Sequence, residues 1–205
     1  MAAMTSQPLP IQSQQGEQQQ QQQQQEDTLH ADIEQVHSQL LARSPIYHFL
    51  LQDIRILSVR PPAPAPPQVN NIQAAILAHL VLGPQHLNSH ASLHGAVAAT
   101  IVDWAGGIVI ASLPRSSSSS SSSSALTTPR GVSVDIHLRY LSPAARLGDT
   151  LLIRAFSRKI GRSLGFVTVE LSVQKQKQGA AAEEEEEEIC VVEASHTKYI
   201  VASSS

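Results

Sequence analysis

Several residue types that mark particular protein classes are scarce in this chain. Its 205 residues include a single cysteine, one tryptophan and 3% aromatic residues in all. Cys190 therefore has no partner for an internal disulfide, and it lacks the paired spacing of a zinc site. Positive charge is not in excess either, because the chain has 14 Lys and Arg residues and 17 Asp and Glu residues. Its formal net charge is −3. These deficits argue against a disulfide-bonded secreted domain and against a nucleic-acid-binding protein.

The first 27 residues contain no Lys or Arg. A secretory signal begins with basic residues and transit peptides are rich in Arg, so neither is predicted. The cytoplasm is the expected compartment, and the mitochondrion stays open as an alternative. The length of the chain fits one ordinary domain with additions.

Three homopolymer tracts interrupt the chain: Gln at 18–25, Ser at 116–124 and Glu at 183–188. Such tracts bury too little apolar surface to offset the entropy lost when they become ordered. The resulting domain prediction is a disordered Gln-rich tail over 1–27 and a single domain over 28–205, with low-complexity loops at 114–128 and 176–188.

Two helices are predicted at the start of this domain. The first follows an N-cap signal at Thr28. Its apolar face consists of Leu29, Ile33, Val36 and Leu40. The second lies in SPIYHFLL, with Ser44 as N-cap and Pro45 at the first helical position.

The remaining patterned segments predict an α+β fold. The segments DIRILSV and IQAAILAHLVL predict two strands, a long apolar helix follows at 93–113, and four further strands complete the chain. In VSVDIHLRY the residues alternate with period two, which assigns one face to polar side chains: Ser133, Asp135, His137 and Arg139. We therefore expect one antiparallel sheet covered by a single helix.

The apolar run at 93–113 carries one charged residue, Asp103, near its middle. A membrane span of this length is disfavoured, because a carboxylate at mid-depth costs roughly 2.5 to 3.5 kcal/mol. A helix buried under a curved sheet explains the apolar residues and predicts no membrane span. It does not explain Asp103, since a buried carboxylate must be paired, neutralised or placed in a wet cleft.

The start of this helix offers a partner for the charge. At His94 and Gly95 the first backbone N–H groups have no intrahelical acceptor, so they can hold a developing oxyanion. Asp103 lies eight residues further on, about 12 Å along the axis, too far to act on a group held at its own helix start. Two antiparallel copies of the helix across a twofold axis would bring each Asp103 opposite the other copy's Gly95, giving two equivalent sites per dimer.

Three segments carry a resemblance to a known family. NSHASLHGAVAATIVD, GVSVDIHLRYLSPAARLGDTLLI and SHTKYI are similar to hotdog-fold acyl-CoA thioesterases of the thioesterase superfamily member 2 type, over about residues 47 to 201. The family motif is Asn, five residues, His-Gly-Gly, and Asp nine residues after the His. Asn88, His94, Gly95 and Asp103 stand at those spacings, and Ala96 replaces the second glycine.

The resemblance implies a fold, an assembly and an activity. The fold is a curved antiparallel sheet wrapped around a central helix, and the assembly is a homodimer that commonly pairs into a tetramer. The activity is hydrolysis of acyl-CoA to fatty acid and coenzyme A, with no metal and no cofactor, since coenzyme A is part of the substrate. Gly95 N–H and His94 would polarise the thioester carbonyl, and Asp103 of the other chain would activate water or attack directly.

The resemblance also implies that Asn88 and Ser133 orient the water or the thioester. The alternation of residues along the strand places Ser133 on its polar side, which leaves two alternatives. Either this polar side lines the intersubunit pocket, or Ser133 is a surface residue. A further hypothesis concerns the phosphates of coenzyme A, for which the candidate contacts are Arg158, Lys159, Arg162 and Lys198.

Two other functions are compatible with the sequence. A hotdog dehydratase or hydratase acting on acyl thioesters would use the same fold for other chemistry, with a His and a carboxylate placed for proton shuttling. A non-catalytic acyl-CoA-binding protein would bind the same molecule without turnover.

Overall fold

The computed structural model describes residues 11–60, 74–113, 131–176 and 186–200. Three helices and six strands occupy most of these residues, together with a short 3-10 turn at Pro84–His86. The helices are α1 (Ile11–Arg43), α2 (Pro45–Leu51) and α3 (Gly95–Ala111). The strands are β1 (Arg55–Arg60), β2 (Ala75–Val81), β3 (Val132–Tyr140), β4 (Thr150–Ile160), β5 (Leu164–Gln176) and β6 (Glu186–Tyr199).

All six strands form one antiparallel sheet in the order β1-β2-β4-β5-β6-β3. Helix α3 packs against this sheet, and 12 of its 17 residues are buried. Burying an aliphatic side chain contributes about 1.5 to 3 kcal/mol, so the apolar run forms the centre of the core. The predicted α+β arrangement with one central helix is confirmed. None of the helices described is long and apolar enough to cross a membrane.

Helix α1 differs from the prediction for the N-terminal tail. It begins at Ile11 and continues through the Gln tract, where the structure had been expected to be disordered. Gln is a good helix former, and side-chain hydrogen bonds four residues apart add support. Gln22 bonds Glu26 and Gln23 bonds Asp27 in this way. Thr28 is consequently inside the helix rather than at its N-cap, and its hydroxyl donates to the Gln24 carbonyl.

The second half of α1 and all of α2 pack against the core. Ile33 and Val36 of α1 are buried, as are Leu50 and Leu51 of α2. Ser44 is the N-cap of α2, and its hydroxyl accepts a hydrogen bond from the Tyr47 N–H. The helix pair is therefore fixed to the domain through apolar contacts at both helices.

The predictions for the two low-complexity loops compare differently with the structure. The loop predicted at 114–128 lies outside the described residues. The loop predicted at 176–188 is too long, because β5 ends at Gln176 and β6 begins at Glu186, within the Glu tract. Cross-strand contacts explain why these glutamates join the sheet. Glu188 accepts from Arg154 at 2.8 Å and from Ser172 at 2.6 Å.

A β-bulge in β3 decides which way Ser133 points. The register with β6 shifts between Ser133 and Asp135, so one extra residue is accommodated there. Ile136 and Leu138 still pack on the core, while Ser133 turns to the α3 side of the sheet. The prediction that Ser133 shares a face with Asp135 and the following polar residues is wrong, because a bulge interrupts period two.

Candidate active site

Asp103 lies on α3 where the helix passes under the edge of the sheet, and three side chains donate to its carboxylate. The Tyr47 hydroxyl donates to Oδ2 at 2.5 Å. The Ser133 hydroxyl donates to Oδ1 at 2.7 Å, and the Lys198 ammonium donates to the same oxygen at 3.1 Å. The Asp103 side chain remains 34% exposed. It is thus a paired carboxylate that still reaches the surface.

The contacts of Asp103 favour its ionised form. Partial burial opposes ionisation and by itself would raise the pKa. The hydrogen bonds from Tyr47 and Ser133, together with the charge of Lys198, outweigh that effect and hold the pKa of Asp103 below its ordinary value. The carboxylate can therefore accept a proton at neutral pH.

Ser133 also contacts His196 of β6, with 3.0 Å between Oγ and Nε2. The His196 ring packs against Gly106 of α3, where a Cβ atom would lie 2.3 Å from Nδ1. Burial and the nearby Lys198 charge lower the pKa of His196 to about 4. His196 is therefore neutral at pH 7. Its ring packs between β6 and α3 and contacts the Ser133 hydroxyl.

Lys198 was expected among the contacts to coenzyme A phosphates, and its position corrects that expectation. The residue is 4% exposed, and its ammonium also donates to Ser133 at 3.1 Å. On β6 it points to the same side as His196, two residues before it. Its charge is directed at Asp103 rather than at the surface.

A cavity of about 240 Å³ opens beside the carboxylate. Its walls come from α1, α2, α3, β3 and β6, and they include Leu40, Tyr47, Asp103, Trp104, Ser133 and Lys198. Trp104 donates from its indole to His37 of α1 at 3.1 Å, which fixes that wall. The cavity thus places a partly apolar space next to an ionised acid.

Asn88 organises the loop that leads into α3. Its Oδ1 accepts from the N–H groups of His90 at 2.8 Å and Ser92 at 3.2 Å. Ala91 has φ of 55°, in the left-handed region, which gives the turn its sharp reversal. In this chain Asn88 fixes the path of the loop and does not reach Asp103.

His94 is the N-cap of α3, and Gly95 is the first residue of the helix. The His94 Nδ1 accepts from the Ala96 N–H at 3.0 Å, which leaves the proton on Nε2 and makes that exposed nitrogen a donor. The Gly95 carbonyl accepts from Tyr140 at 3.0 Å. As the first helical residue, Gly95 has no intrahelical acceptor for its N–H, so two donors are available at this end.

The structure therefore brings Ser133 to Asp103 and leaves the other motif residues apart. Asn88 lies in the loop before α3, and His94 and Gly95 lie at the start of the helix. Gly95 is eight residues before Asp103, or about 12 Å along the helix axis. Within one chain the motif residues and Asp103 are thus separated, because the former lie at or before the start of α3 and Asp103 lies at its middle.

The proposed phosphate contacts at the β4–β5 hairpin lie elsewhere. Arg158 stacks over Phe156 with 5.1 Å from its guanidinium carbon to the ring centroid, and its Nε donates to Thr168. These side chains line a cavity of about 510 Å³ on the sheet face opposite α3. Lys159 and Arg162 are exposed nearby. Arg158 is thus directed to the outer face of the sheet, whereas Asp103 lies on the side of α3.

Sequence reasoning missed Tyr47 and His196. His196 and Lys198 stand two apart in SHTKYI, so strand alternation would have placed them on one face had the helix-facing side been known. Tyr47 carried no such signal, because its contact depends on how α2 docks on α3. Among the residues described, no group of three or more His, Cys, Asp or Glu side chains is arranged to hold a metal ion.

Known proteins resemble the segment that contains Asp103 and Ser133. A family profile described as Thioesterase superfamily matches residues 90–180. The acyl-coenzyme A thioesterase 13 proteins of Homo sapiens and Mus musculus are each 32% identical over 97 residues, or 47% of this chain. That alignment spans 60% of the length of these relatives.

A solved structure extends the likeness to most of the fold. Zebra fish thioesterase superfamily member 2 superposes with a TM-score of 0.57 and 26% sequence identity, covering 82% of this chain and 94% of the other. The profile match includes α3, the strand that carries Ser133 and the β4–β5 hairpin. The chain is therefore similar to the thioesterase superfamily over residues 90–180, and its fold resembles the hotdog fold of this solved structure.

Proposed function

We propose that this chain hydrolyses acyl-CoA thioesters to a free fatty acid and coenzyme A. The observation that carries the proposal is the Asp103 carboxylate, which is ionised, partly exposed and next to a cavity. The similarity to acyl-coenzyme A thioesterase 13 supports the choice of substrate class.

We further propose that the working unit is a homodimer with each site shared between two chains. Along α3 the less buried residues recur on one face: Ala96, Ala99, Thr100 and Asp103. Beside this face, β3 is an edge strand whose Val132 and Val134 are 61% and 60% exposed. A second copy laid antiparallel along this surface would cover both features and bring its Gly95 opposite Asp103.

In this dimer the reaction uses the start of α3 from one chain and the middle of α3 from the other. The thioester carbonyl of the acyl-CoA accepts from the Gly95 N–H, with the His94 Nε2–H beside it, so charge developing on oxygen is stabilised. Asp103 of the other chain takes a proton from water as that water attacks the carbonyl carbon. The carbon–sulfur bond then breaks, the acyl group leaves as the fatty acid, and the proton passes to the thiolate.

The coenzyme A phosphates are assigned to the basic hairpin residues Arg158, Lys159 and Arg162 as a proposal. The same outer face of the sheet is a candidate surface for pairing two dimers into a tetramer. We propose the cytoplasm as the compartment, with the mitochondrion as the alternative.

The hydratase alternative needs a histidine that reaches substrate. His196 lies 3.7 Å from Asp103, the kind of pair that proton shuttling would use. Its side chain is fully buried behind Ser133, however, so the ring does not reach a bound substrate. This observation favours hydrolysis over hydration.

The proposal is tested by following free thiol release from a series of acyl-CoA chain lengths with the purified full chain. We expect release that depends on enzyme concentration and reaches saturation with substrate. Acyl-CoA binding without any thiol release would contradict hydrolysis and indicate a binding protein. Loss of enoyl-CoA absorbance without thiol release would indicate a hydratase.

A further inference from the structure

Tyr47 contacts the Asp103 carboxylate from outside the matched thioesterase segment. It belongs to α2, which precedes residues 90–180 by almost 40 positions. Its hydroxyl is 2.5 Å from Oδ2, a shorter contact than either donor makes to Oδ1. An ionised acceptor makes such a bond about twice as strong as a neutral one.

The hydrogen-bonding capacity of the carboxylate shows where water can bind. Each carboxylate oxygen has two lone-pair sites. In the described part of the chain, Oδ1 accepts from Ser133 and Lys198, whereas Oδ2 accepts from Tyr47. The second lone pair of Oδ2 is therefore the position at which this acid can accept a proton from water, directly beside the Tyr47 hydroxyl.

The backbone that carries Tyr47 is firmly anchored. Ser44 caps the helix one turn earlier through the Tyr47 N–H itself. Leu50 and Leu51 are buried in the core on the next turn. The phenol is thus presented to Asp103 by a rigid support, as required of a group that sets the direction of another side chain.

We propose that Tyr47 is a positioning residue of the hydrolytic site, which holds Oδ2 of Asp103 so that its remaining lone pair faces the attacking water. The N-terminal helices are then part of the active site, and the segment 90–180 alone lacks a required group. This inference rests on the proposed thioesterase activity.

The test is Tyr47→Phe, which keeps the ring and removes the hydroxyl. We expect kcat for acyl-CoA hydrolysis to fall about ten-fold at pH 7 while KM stays within about two-fold. The acidic limb of the pH profile moves to higher pH, because a hydrogen bond to the ionised acid is lost. Tyr199→Phe removes a hydroxyl from a side chain that is 48% exposed and should change neither quantity.

Two further measurements separate positioning from a general loss of structure. In an Asp103→Asn background, Tyr47→Phe should lower kcat no further, because the hydroxyl acts through the carboxylate. The carboxyl carbon of Asp103, followed by NMR, should titrate at higher pH in Tyr47→Phe than in the wild-type chain. An unchanged or raised kcat with an unmoved titration overturns the inference and leaves the proposed function intact.

Failure of the proposed function can be distinguished from failure of this inference. If the wild-type chain releases no thiol, the proposed function is wrong, and so is a positioning role in hydrolysis. The NMR titration then still reports whether Tyr47 controls the ionisation of Asp103.

Discussion

The Asp103→Asn variant is expected to release thiol from acyl-CoA about a thousand-fold more slowly than the wild-type chain. General base catalysis contributes about 10² to 10⁴ in rate, and an amide cannot take the proton from water. Asn keeps the size of the side chain and can still accept from Ser133 at one oxygen. The effect should therefore appear in kcat, with KM changed little, in a steady-state thiol-release assay.

The matched control is Asp135→Asn on β3. This substitution removes the same charge from an exposed side chain two residues from Ser133. We expect its kcat to stay within two-fold of wild type. Because Asp103→Asn also removes the negative charge beside the buried Lys198 ammonium, thermal unfolding of both variants should be recorded. A folded Asp103→Asn protein with wild-type activity would contradict the proposed role of Asp103.

The second large effect is expected from Gly106→Ala in α3. In an ordinary helix interior this change stabilises by up to about 1 kcal/mol. Here the new Cβ would lie 2.3 Å from Nδ1 and 3.3 Å from Cγ of the fully buried His196 ring. The ring must move, which costs overpacking strain and weakens its contact with Ser133. We expect a net loss of about 2 kcal/mol in unfolding free energy, together with reduced kcat.

Gly16→Ala provides the comparison for this prediction. Gly16 lies in α1, and nothing lies within 4 Å of the position that its Cβ would take. The free energy of unfolding in urea should not fall for this variant. If Gly106→Ala is as stable as Gly16→Ala, the packing of His196 against α3 is not what supports Ser133.

The fold was largely predictable because its signals are local. The apolar run predicted the central helix, and Ser44 followed by Pro45 predicted the start of α2. The alternation of polar and apolar residues predicted the strands that follow the Ser tract in the sequence. The N-terminal tail was mispredicted because composition was read as disorder, whereas Gln-rich chain is compatible with a helix that continues from a packed segment.

The site was predictable only in part because it depends on packing between distant segments. Asp103 stood out as the one charge in an apolar helix, a signal that the sequence contains. The direction of Ser133 depends on a bulge that the residue pattern does not encode. Tyr47 reaches Asp103 across 56 positions through the docking of α2, and no motif marks such a contact.

The central claim is that Asp103 of one chain acts on a thioester held at Gly95 of another. It is tested by co-expressing two inactive variants, Asp103→Asn and Gly95→Pro, and assaying the mixed protein. Proline is tolerated at the first helical position and removes the N–H donor in question. If the site is shared, a mixed dimer has one intact site, formed by Asp103 of the Gly95→Pro chain and Gly95 of the Asp103→Asn chain. Random pairing makes half of the dimers mixed, and each has one of its two sites intact. Activity should therefore return to about a quarter of wild type. Activity no higher than that of the separate variants would contradict the claim.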